Sequence, residues 1–125
     1  MDPLMKAIKI LEPIDKKYPD HPGVTHYLIH SYDFPPIAQR GIPAANKYAK
    51  IAPAAPHAQH MPSHIYSMVG MWEESVNSNW RSVLVANEYA AKAKLDGTLG
   101  GVPHAYDFMA YAYLQMGQDV KARGL

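Results

Sequence analysis

The chain contains no cysteine, so disulfides and thiolate metal sites are both excluded, and its redox compartment stays open. No apolar run approaches the roughly twenty residues that cross a bilayer. The opening residues, Met1-Asp2-Pro3-Leu4-Met5-Lys6, lack the charged-then-apolar layout of a signal peptide. The expectation is a soluble chain of unknown localisation with no membrane partner. An excess of one charge is missing too: the formal net charge is +1, with basic and acidic residues interspersed. Without a basic stripe or a Gly-rich phosphate loop, no nucleic-acid partner is expected. No segment alternates with period two, so no strand is predicted.

What is present is an ordinary globular balance of 48% apolar and 18% charged residues, with eleven Pro, nine Tyr and seven His. Disorder is therefore not expected over most of the chain. Leu4, Ala7, Ile8, Leu11 and Ile14 recur at three- and four-residue steps and predict a first helix, which stops before Pro19. Asp20 is placed to cap a second helix through Val24, Tyr27, Leu28 and Tyr32, ending at Pro35-Pro36. A third, from near Pro43, carries Ala44, Ala45, Tyr48 and Ile51. A fourth covers Pro62 to Val69 and stops at Gly70. A fifth runs from Trp72 or Glu73 to about Ala93, with Val76, Trp80, Val83, Leu84 and Ala86 inward. Residues 95–103 hold three glycines and predict a loop. A sixth helix spans His104 to Met116, and residues 119–125 open a seventh.

The pattern repeats. Ala7, Leu11, Ile14 and Pro19 share their spacing with Ala44, Tyr48, Ile51 and Pro56. Ser63, Tyr66, Gly70 and Ser75, with Trp72 in the turn, share theirs with Ala110, Tyr113, Gly117 and Ala122. These sets resemble the second and first helices of tetratricopeptide repeats. The runs at 21–30 (His-Pro-Gly-x-x-His-Tyr-Leu-Ile-His) and 56–65 (Pro-His-Ala-x-His-Met-Pro-Ser-His-Ile) are similar to those of larger bacterial tetratricopeptide proteins. The resemblance implies one all-α domain over residues 1–125, an antiparallel helix-turn-helix superhelix of about three partial repeats. It also implies a fragment truncated at both ends, or a homo-oligomer joined through exposed repeat ends. Residues 33–43 and 95–103 depart from the family by their extra length.

All seven His fall in or at the start of helices that match first helices, which in that family line a concave groove. His26 and His30 share one helix face, as do His60 and His64. Three readings are open. His26 and His64 can be part-buried, locally bonded residues, with His21, His57 and His104 in loops or caps. Alternatively, His26, His30, His60, His64 and His104 ligate zinc, copper or nickel, with Asp33 and Asp107 as oxygen ligands or partners of the rings, and Met61 and Met68 as soft donors. A third possibility is a groove in which Tyr27, Tyr66, Tyr106 and His rings bind an anionic or aromatic ligand. The family resemblance itself implies a peptide or protein partner, though the first helices carry almost no Lys or Arg to grip a carboxylate.

A hydrolase can be assembled on paper from Ser63 beside His64, or from Ser31, His30 and Asp33. Adjacent residues on a helix point about 100° apart, which aims such a serine badly. No His-Glu-x-x-His or Gly-x-Ser-x-Gly run is present, so catalysis is not expected. The expected function is a binding module with a His- and Tyr-rich groove.

Overall fold

Helix starts follow the prolines. A computed structural model describes residues 2–125, and in it five helices carry Pro at their first or second position, where no N–H is needed. They are α1 (Pro3–Lys17), α2 (Pro22–Tyr32), α3 (Ile42–Ile51), α4 (Pro56–His60) and α5 (Pro62–Met68). After them come α6 (Trp72–Lys92), α7 (Gly101–Gln115) and α8 (Asp119–Arg123). A 3-10 turn at Ala38–Gly41 occupies the stretch whose extra length breaks the repeat pattern. No strand occurs among the described residues.

The expected helices all form, with three differences. His21, not Asp20, caps α2, its Nδ1 accepting from the Val24 N–H at 3.3 Å. The α7 helix begins at Gly101, so His104 lies inside its first turns. And α4 is a one-turn helix that spacing alone did not suggest. Met61 between α4 and α5 keeps helical angles, φ −53° and ψ −37°, so the two form one helix interrupted by Pro62. Proline lacks the N–H that would continue the ladder. Hydroxyl groups serve the carbonyls at the break: Ser63 Oγ donates to His60 O at 2.7 Å, and Ser78 Oγ donates to Gln59 O. Ser82 Oγ donates to Pro56 O at 2.8 Å, fastening the start of α4 to α6 as well.

Packing follows chain order, each helix lying on the next, so the all-α array is repeat-like. One core, centred on Ile8, Ile29, Tyr48, Met61 and Ile65, joins α1 to α5. A second, of Val83, Ala86, Val102, Ala105 and Met109, joins α6 to α7. The inward stripe of α6 differs from expectation. It runs through Val76, Asn79, Val83 and Ala86, all buried, and leaves Trp80 and Leu84 38% and 51% exposed. A helix wedged between α4 and α5 on one side and α7 on the other turns the i, i+3, i+7 row inward, and a neighbouring position falls outside it. Tyr27, expected in α2 and on the wall of a ligand groove, is 63% exposed.

Gly70 ends α5 with φ +77°, a conformation costly for other residues, and the Met71 N–H closes the turn on Tyr66 O at 2.8 Å. Gly41 is held by closeness. A Cβ there would stand 2.8 Å from both Tyr32 Cβ and Ile65 Cδ1. Tyr32 is itself fixed, its hydroxyl bonded to Glu12, so the 3-10 turn would have to move outward. Gly41→Ala is expected to destabilise the fold by about 1–3 kcal/mol, measured as a lowered urea midpoint with an unchanged slope.

Candidate metal centre

Two imidazole triads form where α2, α4, α5 and α7 meet. In the first, His26 and His30 project from successive turns of α2 and His57 from the first turn of α4. The Nε2 atoms of His30 and His57 lie 3.1 Å and 3.2 Å from that of His26. Tyr48 of α3 backs the His26 ring, stacked at 5.4 Å between centroids. In the second, His60 ends α4 and His64 lies one turn on in α5. Met61 continues the helical path across the Pro62 break, so the two rings share a face, their Nε2 atoms 3.0 Å apart. His104 of α7 brings its ring to 4.6 Å from that of His60. Phe108, one turn later, stands about equally close to all three rings, 4.9–5.1 Å away. Within each triad one nitrogen per ring lies within 4.8 Å of the other two, a spacing that can hold a metal ion.

The positions of the protons follow from the partners in the second triad. Asn79 on α6 is fully buried, and its Nδ2 donates to Ser75 O at 2.8 Å. That contact turns Oδ1 toward His60 Nδ1, 2.6 Å away, so Nδ1 must carry the hydrogen. His64 Nδ1 faces Asp33 Oδ2 at 2.8 Å, and a carboxylate accepts only. As neutral imidazoles both rings present bare Nε2 lone pairs, 3.0 Å apart. Two such acceptors at this distance call for a cation between them, a metal ion or a proton. Two nitrogens bound to one ion at about 2.0–2.1 Å lie roughly 3–3.4 Å apart at the usual bond angles. In the first triad His26 Nε2 contacts two other ring nitrogens, and a neutral nitrogen with one proton or one lone pair cannot make linear hydrogen bonds to both.

Burial favours the neutral, ligating form. It pushes His60 down to about 4, against the opposing Asn79 bond, and the other imidazoles add to the fall. His26 and His57 are lowered as well, by burial first and then by facing rings. Asp33 has one oxygen on His64, while the other, Oδ1, is buried without a partner. Beside His64 opens a hollow of about 340 Å³, lined by Asp33, Met68, Asp107, Phe108 and Tyr111 among others.

The metal-ligand candidates named from sequence, His26, His30, His60, His64 and His104, all lie in this cluster. The two i, i+4 pairs do not converge on a single point, however. Each pair takes its third ring from another helix. His57, assigned above to a loop or cap, is the third member of the first triad; only its position beside Pro56 was visible in sequence. Asp33 is a partner of a ring, and Asp107 lines the adjoining hollow. Met68 is exposed at that hollow, whereas Met61 is wholly buried in the core. Tyr27 stacks against His26 at 5.8 Å. Tyr66 is turned elsewhere, its hydroxyl on Asn46, and Tyr106 packs edge-on against Trp80. Ser63 and Ser31 donate to carbonyls of their own helical turns, His60 O and Tyr27 O. Neither hydroxyl is directed at an imidazole.

Replacing Asn79 with Ala strands the buried Nδ1 hydrogen of His60. An unpaired buried donor costs about 1–3 kcal/mol, so Asn79→Ala should lower the urea midpoint of the metal-free protein. Asn77→Ala, two positions away on the exposed face of the same helix, should leave it in place.

No family model matches this chain, and no curated protein and no solved structure matches it.

Proposed function

We propose that the chain is a tetratricopeptide-like helical array whose inner face binds a divalent transition metal through imidazole, with His60, His64 and His104 as principal ligands. One observation carries this reading: the two bare Nε2 atoms held face to face at 3.0 Å by bonds to Asn79 and Asp33 on their far sides. Metal-ligating histidines characteristically donate their other N–H to a carboxylate or carbonyl, which fixes the ring and strengthens the ligand. Neutral nitrogen donors without thiolate select zinc, copper or nickel over magnesium or calcium. Asp33 supplies negative charge next to the ion, and the hollow beside His64 gives it access to solvent. The packing of helices in chain order supports the repeat reading, and the clustering of six rings on α2, α4, α5 and α7 supports a shared inner face.

A protein-interaction array is the second reading, favoured by that same hollow. Its walls of Phe108, Tyr111 and Met68 with two carboxylates suit an apolar peptide side chain with a cationic end.

Calorimetric titration of chelator-treated protein with zinc chloride separates the two. Saturable binding is expected, and His60→Ala/His64→Ala should remove the tighter site while the helical circular dichroism persists. Asp33→Ala should weaken affinity about 10- to 100-fold, the usual effect of losing a ring's outer partner. No saturable heat with zinc, copper or nickel would end the metal reading and leave the interaction array.

A further inference from the structure

The two triads are not separate clusters. His30 of the first lies 6.3 Å from His64 of the second, and His57 lies 6.1 Å from His60, centroid to centroid. Inside the second triad itself, His64 and His104 are 6.3 Å apart. Rings of different triads thus approach as closely as the widest pair within one. The six imidazoles form a single shell with two nitrogen-lined centres.

We propose that this shell holds two transition-metal ions as one coupled dinuclear centre: the second ion sits on His26, His30 and His57 and shares the cavity with the ion on His60, His64 and His104. The inference rests on the metal reading above and extends it from one ion to two.

The two sites differ in ways that fix the order of filling. His60 is 3% exposed and His64 part-buried, and both rings are oriented in advance by Asn79 and Asp33. His30 and His57 are exposed, and His26 is braced by the stacked Tyr48 ring. Pre-oriented ligands lose less freedom on binding, so the triad of His60, His64 and the exposed His104 fills first, and that of His26, His30 and His57 second.

Charge defines what else enters. Two dications on six neutral rings carry four positive charges, and Asp33 is the carboxylate in contact with a ligand. Like charges a few ångströms apart repel strongly in a part-buried site. A small oxygen anion, hydroxide or a carboxylate, would therefore accompany the second ion and offset its charge.

Copper(II) followed by electron paramagnetic resonance provides the test. The first equivalent should give the spectrum of an isolated ion. The second should reduce or broaden that signal and bring in a half-field transition. His57→Ala removes an exposed ring outside both cores; it should bind one equivalent and keep the isolated-ion spectrum. A second equivalent that merely doubles the first signal overturns the shared centre, as does wild-type protein that saturates at one equivalent. So does a His57→Ala variant that still takes two coupled ions. Absence of any bound copper sinks the metal reading itself, and the dinuclear centre with it.

Discussion

Asn79 lies on the buried face of α6, with no exposed surface, and its amide is oriented by the Ser75 carbonyl one turn back. This one contact decides where the hydrogen of His60 sits, because the oxygen left over can only accept. With Nδ1 protonated, Nε2 is a free lone pair. Its direction is then fixed by the backbone of α4 and by the amide behind it, so the ring cannot turn its donor toward His64. Asp33 imposes the same condition on His64 from the end of α2. The site is thus defined by hydrogen bonds outside it, made by residues that hold no ligand themselves.

The helix that carries His60 is interrupted at Pro62. An unbroken helix from residue 56 to 68 would keep its carbonyls for its own ladder. Carbonyls on either side of the interruption accept from Ser63, Ser78 and Ser82, two of them reaching across from α6. Ser78 and Ser82 tie α6 to α4 on the helix from which Asn79 reaches His60. Gln59 fastens the other side of α4, its Nε2 donating to Ala49 O and Pro53 O at 2.9 and 3.2 Å. A five-residue helix has little stability of its own; side chains from both flanks hold this one, and it presents His57 to one triad and His60 to the other.

The helices were legible in the sequence because proline and glycine act locally. Pro3, Pro22, Pro43 and Pro62 each open a helix, and Gly70 and Gly117 close one, for reasons contained within a few residues. The pairs His26/His30 and His60/His64 were legible for the same reason, since a four-residue step on a helix defines a face. Which faces meet is a different kind of information. The contact of His57 with His26 spans 31 residues and depends on a one-turn helix with too little periodicity to detect. Asn79 and Trp80 are neighbours, and hydrophobicity alone chose the tryptophan as the inward residue. The buried stripe instead admits a polar side chain, because an imidazole and a carbonyl are there to satisfy it.

Away from the rings, Gln118 Oε1 just before α8 is also buried without a partner. Thr25, Gln59, Ser63, Ser75, Ser78 and Ser82 each make a hydrogen bond to a carbonyl or another side chain. Unused capacity collects where the rings converge: two acceptors face each other at His60 and His64, His26 meets two nitrogens with one bonding position, and Asp33 Oδ1 is buried alone. Buried polar groups left in this state cost free energy, and apolar residues at the same positions would avoid the cost. Six imidazoles gathered from four helices do little for the stability of the fold as it stands. With the rings neutral, the deficits share one sign, lone pairs and a carboxylate oxygen, and a cation at their centre would satisfy them together.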